Sequence, residues 1–414
     1  MQSSNGNFEK INLPVFFGLS HLGQVFSLCW SKKIGNCYVF DNNKKVLNSF
    51  KERKYTLEEP NLNKLKSNNI KFLKKFEDIK NFKYIFFTHD TPLNIKNGKP
   101  ELNLIYQNLK KILNLKFQTK TYLIISSQIN PELIKNLKKK LIISKNIKIF
   151  YLVDTLKMGE SMDKFLNPNQ IIIGGEKKEK KNILKLFRKF KSKKYYIGLD
   201  EAIITKMAIN IYFSFSVTFA NIIDDLCRQY GSSYSKIIQS LKNDNRIGPN
   251  AYINPSLGFS GGHLERDLFY LNAISNNKII KQTVKNILSF NNTAINKINF
   301  KNLFDKKKII KTLIVGKSYK ENSFSEVNSL FNKLSKKFKL NYFDDIFFNY
   351  KNPEKKLRDL VKKTDLIIYN YSSRKTISRI INLSKKFRKR IINISDKKIY
   401  SKNNQNLINL FNNH

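Results

Sequence analysis

The stretch Leu13-Pro-Val-Phe-Phe-Gly18-Leu-Ser-His-Leu-Gly23 decides the fold. Its apolar start reads as a buried strand, and the residues after the turn read as a helix through about Lys33. Between them a turn bounded by Gly18 and Gly23 delivers the chain to a helix N-terminus, whose free N–H groups and dipole suit a pyrophosphate. The next apolar run, Asn36-Cys-Tyr-Val-Phe-Asp41, ends on an acidic residue about twenty positions beyond the turn, placed to accept ribose hydroxyls. Gly18, Ser20, Gly23 and Asp41 form a candidate dinucleotide site. A carboxylate at Asp41 would repel a 2′-phosphate, which favours NAD over NADP. One position departs from the pattern. Ser20 stands at the middle glycine, and its Cβ is expected to weaken or shift cofactor binding.

Further strand runs follow at Tyr84-Ile-Phe-Phe-Thr88, Tyr122-Leu-Ile-Ile-Ser126, Ile149-Phe-Tyr-Leu-Val153 and Gln170-Ile-Ile-Ile-Gly174. Helix-sized segments separate them, so βαβ units and a parallel sheet are predicted. From Asp200 to Tyr230 the pattern becomes one long helix, then a loop-rich region to Asp267, then more helix to about Asn299. Strand runs resume at Lys308–Val315, Asp365–Tyr369 and Arg390–Ile394. The expected architecture is α/β with three parts. Residues 1–197 form an N-terminal Rossmann-like dinucleotide-binding domain, 198–300 a central long-helix domain, and 301–414 a smaller C-terminal Rossmann-like α/β domain.

Composition narrows the function. A chain of 414 residues with 41% hydrophobic and 13% aromatic content can bury several cores. The formal charge of +46 would attract any polyanion. Lysine, however, is spread through the whole chain and forms no localised stripe, which disfavours nucleic-acid binding while still favouring small anionic ligands. Cys29, Cys37 and Cys227 have no paired or CxxC spacing, against a disulfide framework or a zinc site. The N-terminus lacks a signal pattern, and the apolar run Met207–Ile223, interrupted by Asn210 and Asn221, reads as a buried amphipathic helix in preference to a membrane span. A cytoplasmic protein fits best.

On the central helix Lys206 and Asn210 are four residues apart and share a face. An ammonium can stabilise a developing alkoxide and tune its proton transfer, and an asparagine can hold the same oxygen or a bridging water. The loop Gly258-Phe-Ser-Gly-Gly-His-Leu-Glu-Arg-Asp267 then carries three glycines in five residues, followed by His263 and Asp267.

At these residues the chain resembles the nucleotide-sugar dehydrogenases, the UDP-glucose and GDP-mannose dehydrogenase family. The first loop is similar to that family's GxGYVG, and Glu58-Glu-Pro-Asn-Leu62 to its EPGL. Thr91-Pro92 falls at its TP, Ser126-Ser127 at its Ser-Thr, and Gly159–Phe165 echoes EGxAxxDF. Asp244-Asn-Arg-Ile-Gly248 matches D-x-R-I-G, Gly258–Asp267 aligns with GFGGSCFPKD, and Val315–Lys320 with GxxFK. The resemblance implies NAD-dependent oxidation of a sugar C6 alcohol to a carboxylate. It gives Lys206, Asn210 and Asp267 the first step, adds Thr91 and Ser127 to the cofactor site, and puts Arg246, Gly258, Gly261 and Lys320 on the sugar nucleotide. It implies a homodimer through the central helices. It also exposes departures. In an ungapped alignment His263 stands at the position of the family's cysteine, whose thiol would carry the second step, while a gapped one keeps Gly261-Gly262-His263 and deletes that cysteine. Asp154 stands at the position of a glutamate which would activate the hydrolytic water, and Ser127, a further candidate catalytic residue, at that of a threonine. Imidazole is a poor substitute for a thiolate, so the second oxidation is expected to be impaired, with a two-electron or inactive protein as the alternative.

Overall fold

The computed structural model describes residues 11–55, 59, 62–65, 68–94, 99–141, 143–157, 160–256, 258–259, 262–293, 311–316, 339–343, 351–369, 374–393 and 407–409. The chain divides into two compact units, Met1–Pro92 with Pro100–Ile209, and Leu93–Lys99 with Asn210–His414.

The first unit runs β1 (Ile11–Phe17), α1 (His21–Lys33), β2 (Cys37–Phe40), α2 (Lys44–Lys51), β3 (Ile70–Phe72), β4 (Phe82–Phe87), α3 (Leu102–Leu113), β5 (Thr121–Ile125), α4 (Pro131–Lys140), β6 (Ile147–Leu152), α5 (Ser161–Leu166), β7 (Gln170–Gly174), α6 (Lys180–Leu184) and β8 (Lys193–Ile197). These strands form one sheet in the order β3-β2-β1-β4-β5-β6-β7-β8. Helices cover both faces, so the central strands read as unbroken apolar runs; Phe16, Phe17, Phe86, Phe87, Ile124 and Phe150 are all buried. The strand order reverses at β1, between β2 and β4. That is the switch point where open α/β sheets bind ligands, beyond the carboxyl ends of the strands.

One expectation changes. β7 runs antiparallel to β6, whereas the other pairs in this sheet are parallel. The chain passes from β6 through the six-residue α5 into β7, which enters the sheet from the opposite end. Pro14 also leaves a mark: lacking an N–H, it coincides with the register shift in the β1–β4 ladder.

The second unit takes α7 (Leu199–Gln229) from Asn210 onward, then α8 (Tyr234–Asn243), α9 (His263–Ile274) and α10 (Lys278–Thr293). A second sheet follows, with β9 (Lys311–Val315), β10 (Lys339–Phe343), α11 (Pro353–Lys362), β11 (Leu366–Tyr369), α12 (Arg374–Lys386), β12 (Arg390–Asn393) and β13 (Leu407–Asn409). Its order is β10-β9-β11-β12-β13 and every pair is parallel. α8 lies in the region read as loop-rich. α7 is long and apolar enough to cross a membrane, yet 44% of its most apolar window is buried within the chain and that window holds buried polar groups such as Asn210 and Ser214.

Candidate functional site

In the first unit the turn after β1 is built around two glycines that cannot be replaced. Gly18 has φ 101°, and a Cβ there would stand 2.4 Å from Nδ1 of His89. A Cβ on Gly23 would lie 1.9 Å from the Gly18 carbonyl oxygen, so α1 packs against the turn with no room for a methyl. The turn is braced from β4: the Thr88 hydroxyl donates to the Gly18 carbonyl at 2.7 Å. Asp41 braces it from β2, where Oδ2 accepts from the Leu19 N–H at 2.7 Å and Oδ1 accepts from the Asn43 N–H at 2.7 Å.

Ser20 occupies the N-cap of α1 with φ −63° and ψ 177°, a backbone any residue adopts. Its hydroxyl donates to the Thr88 carbonyl at 2.6 Å and gives no cap to α1. The first N–H groups of α1, which have no intrahelical acceptor, therefore keep their claim on an anion. Two irreplaceable glycines, an uncapped helix start and Asp41 at the end of β2 are what a dinucleotide requires, and these residues fit one. His89 was missed by sequence reading. Its ring packs edge-on to Phe17 at 4.4 Å and over Phe87 at 4.8 Å, and burial pushes its imidazole down to about 4, so it is neutral at physiological pH.

A second cluster lies one residue further along. Nε2 of His21, the first residue of α1, is 2.9 Å from Oε1 of Glu59. The same oxygen accepts from the Ser161 hydroxyl at 2.7 Å, and Oε2 accepts from the Ser161 N–H at 3.3 Å. Beyond the end of β6, Asp154 meets Lys206. The ammonium donates to the Asp154 backbone carbonyl at 2.6 Å and sits 3.7 Å from its Oδ2, while Oδ1 accepts from the Leu156 N–H at 2.8 Å. Thr91 and Ser127 are buried, and both hydroxyls serve the backbone, on the Gln128 and His89 carbonyls at 2.6 Å each.

In the second unit Asn210, on α7, donates through Nδ2 to Oδ2 of Asp267 on α9 at 2.7 Å, and both side chains are buried. His263 opens α9, directly after Gly262 at φ 79°. Two residues on, burial pushes the Glu265 carboxyl up to about 7. Gly258 has φ 104° and lies against Asn291, whose amide bonds Phe259 through both its oxygen and its nitrogen at 2.8 and 3.0 Å. Arg246 is exposed and doubly bonded to Asp244. Gly261 and Lys320 lie outside the described residues, as do Glu58 and Gly159. Among the described residues no cluster of His, Cys, Asp or Glu could hold a metal.

Residues 13–191 match the NAD binding domain of the UDP-glucose/GDP-mannose dehydrogenase family, and residues 200–293 match that family's central domain. A UDP-glucose 6-dehydrogenase of Rickettsia bellii (strain RML369-C) is 26% identical over 291 residues, a match covering 65% of this chain and 64% of that protein. One from Rickettsia prowazekii (strain Madrid E) is 25% identical over 294 residues, covering 67% and 66%. The chain thus spans under two thirds of the length of these relatives. Two solved structures share the fold: a UDP-glucose dehydrogenase from Pyrobaculum islandicum (TM-score 0.80, 14% identity, covering 99% of this chain and 100% of that one), and the UDP-N-acetyl-mannosamine dehydrogenase Cap5O from Staphylococcus aureus (TM-score 0.74, 18% identity, covering 97% and 98%).

Proposed function

The chain belongs to the UDP-glucose/GDP-mannose dehydrogenase family, and from that premise we infer that it is an NAD-dependent oxidoreductase acting on the C6 alcohol of a nucleotide sugar. Bound NAD supplies the hydride acceptor; Gly18, Ser20, Gly23, Asp41, Thr91 and Ser127 form its site. The observation that carries the reading is the buried hydrogen bond between Asn210 and Asp267. It fixes the Asp267 carboxylate on α9 to the Asn210 amide on α7 within the second unit. Lys206 and Asn210 would hold the substrate hydroxyl, and Asp267 would take its proton through a water. The Asp154 carbonyl keeps the ammonium in one place, which lowers the entropic cost of orienting the alcohol. Arg246, Gly258, Gly261 and Lys320 would contact the sugar nucleotide. The names of the relatives make UDP-glucose the first substrate to try.

The second oxidation has lost its nucleophile. Position 263 offers an imidazole, while Cys29 and Cys37 are buried, with thiols pushed up to about 12, and Cys227 is buried too. The second reading, a protein that stops after one hydride transfer, is favoured by that arrangement. The test is NADH absorbance with a panel of UDP- and GDP-sugars, with products identified by mass spectrometry. One NADH per sugar, with aldehyde trapped by hydroxylamine, supports single oxidation; two support acid formation. Failure of every sugar to yield NADH would refute the dehydrogenase reading.

A cytoplasmic homodimer completes the proposal. Tyr212, Phe215, Phe219, Ile222 and Leu226 recur every three or four residues on α7 and are 42–58% exposed. Such a stripe on one helix face is what a second copy would cover.

A further inference from the structure

Glu59 carries a charge that the proposed reaction does not use, and it sits where two pieces of the cofactor-binding unit come together. Its side chain is 2% exposed. A carboxylate so buried is tolerated only when hydrogen-bonded, and its donors come from separate elements. His21 opens α1, directly after the Gly18–Ser20 turn. Ser161 opens α5 and supplies both its hydroxyl and its N–H. The residue before it, Glu160, donates its N–H to the Lys157 carbonyl at 2.9 Å, so the hold of Glu59 on Ser161 reaches the Asp154–Lys157 stretch. At the start of that segment Asp154 holds Lys206. Bonds to an ionised acceptor are shorter and roughly twice as strong as neutral ones, so one carboxylate joins the phosphate turn to the lysine's anchor.

We propose that Glu59 is a positioning residue: it ties the cofactor turn to Ser161 and, through the Glu160–Lys157 contact, to the Asp154–Lys157 stretch, so that the dinucleotide and the Lys206 ammonium are placed by one shared support. The proposal rests on the dehydrogenase reading for the identity of the cofactor. Its split of effects belongs to this geometry alone. Disturbing the His21 side should weaken dinucleotide binding, disturbing the Ser161 side should release Lys206, and removing Glu59 should do both.

The test uses the full-length chain and needs no substrate. NADH affinity is read by energy transfer from Trp30, the one tryptophan, buried in α1. Lys206 accessibility is read by the rate of pyridoxal phosphate labelling, trapped with borohydride and located by peptide mass spectrometry. His21→Asn is expected to weaken NADH binding about tenfold, the order of a lost bond to a charged group, with Lys206 labelling unchanged. Ser161→Ala should speed Lys206 labelling several-fold with NADH affinity near the wild-type value. Glu59→Ala should show both changes, and Glu59→Gln, which keeps an acceptor, should restore most of each. If Glu59→Ala does not fold, the other three variants carry the test. Folded variants with lower thermal midpoints but unchanged NADH affinity and labelling would make Glu59 a structural group only and overturn the proposal. So would a loss that Glu59→Gln fails to reverse. A wild-type chain that binds no NADH removes the dehydrogenase reading and this inference with it.

Discussion

Replacing Gly23 with alanine sets helix propensity against steric room, and the structure decides the sign. In an unobstructed helix interior the change stabilises by about 1 kcal/mol. Here the new Cβ would stand 1.9 Å from the Gly18 carbonyl oxygen and 2.8 Å from the Thr88 hydroxyl. A relaxed C···O contact needs about 3.3 Å, so α1 must retreat from β1 by more than an ångström. Neither neighbour can yield freely. The Gly18 oxygen accepts from Thr88, whose hydroxyl also lies 3.2 Å from the Phe17 carbonyl, and the turn is held by Asp41. Overpacking costs about 1–3 kcal/mol, and a 1.9 Å approach to a braced carbonyl belongs in the upper part of that range, about 2–3 kcal/mol, which exceeds the propensity gain. The expected net loss is about 1–2 kcal/mol, or a thermal midpoint lower by roughly 2–8 °C for a unit of this size. Moving α1 also displaces the N–H groups that face the diphosphate, so NADH affinity should fall at least tenfold. Calorimetry and the Trp30–NADH energy transfer measure the two effects. Gly35→Ala is the control: nothing lies within 4 Å of its Cβ, φ is +137°, and the cost should be confined to stability. A Gly23→Ala chain with an unchanged or higher midpoint and wild-type NADH affinity would refute the packing argument.

Ser20→Gly should cost about 1–2 kcal/mol through the lost bond to Thr88 and glycine's added unfolded-state entropy, while NADH affinity stays within about threefold; a tenfold gain would mean that the serine obstructs the site. Lys120, followed by Asn182 and Tyr122, holds the Glu179 carboxyl down to about 2, against some burial penalty. Its contribution is therefore present above about pH 4.5 and lost as pH falls toward 2, and Glu179→Gln should flatten that acid limb in a circular-dichroism titration. Glu265 runs the other way. With its carboxyl raised to about 7, stability is present below about pH 4.5 and lost as pH rises to 7, so Glu265→Gln should shrink the difference in thermal midpoint between pH 5 and pH 8. Phe219→Lys, in the exposed stripe of α7, should turn a dimer into a monomer by light scattering; a wild-type monomer at micromolar concentration would remove the dimer proposal.

The central strands of the first sheet were legible because a strand covered by helices on both faces is largely apolar, and the runs Tyr84–Phe87 and Tyr122–Ile125 are just that. β3 and β8 were not. The first is three residues long, and the second begins Lys193-Lys194 and lies half in solvent at the sheet edge, so neither shows the apolar run that marks a strand. α8 was read as loop because its ten residues, Tyr234–Asn243, follow a Gly-Ser-Ser turn and bury only Tyr234. The glycine turn and Asp41 could be read because their spacing is set by local geometry. His21 and Glu59 could not be paired from sequence: 38 positions separate them, and a lone histidine beside a helix start gives no hint of which carboxylate it will find. His89 was equally silent, because its role as the ring that Gly18 must clear depends on β1 and β4 lying side by side.

Asp154 shows why the two halves of the expected chemistry need not share a fate. The side chain is one methylene shorter than the glutamate that the family resemblance implies at this position, and its contacts are local. Oδ1 caps the Leu156 N–H, and the close contact to Lys206 comes from the backbone carbonyl at 2.6 Å, with the carboxylate standing off at 3.7 Å. Oδ1 is thus engaged by a backbone donor while Oδ2 faces the ammonium. Lys206, by contrast, gains a fixed position from the same residue. The Asn210–Asp267 bond is likewise short and buried. Groups suited to removing a hydroxyl proton are therefore held in place, while residue 263 offers an imidazole and Asp154 braces Lys206 and the Leu156 N–H. Loss of the acid-forming step should then leave alcohol oxidation standing, which is the asymmetry that the stoichiometry of NADH per sugar will read.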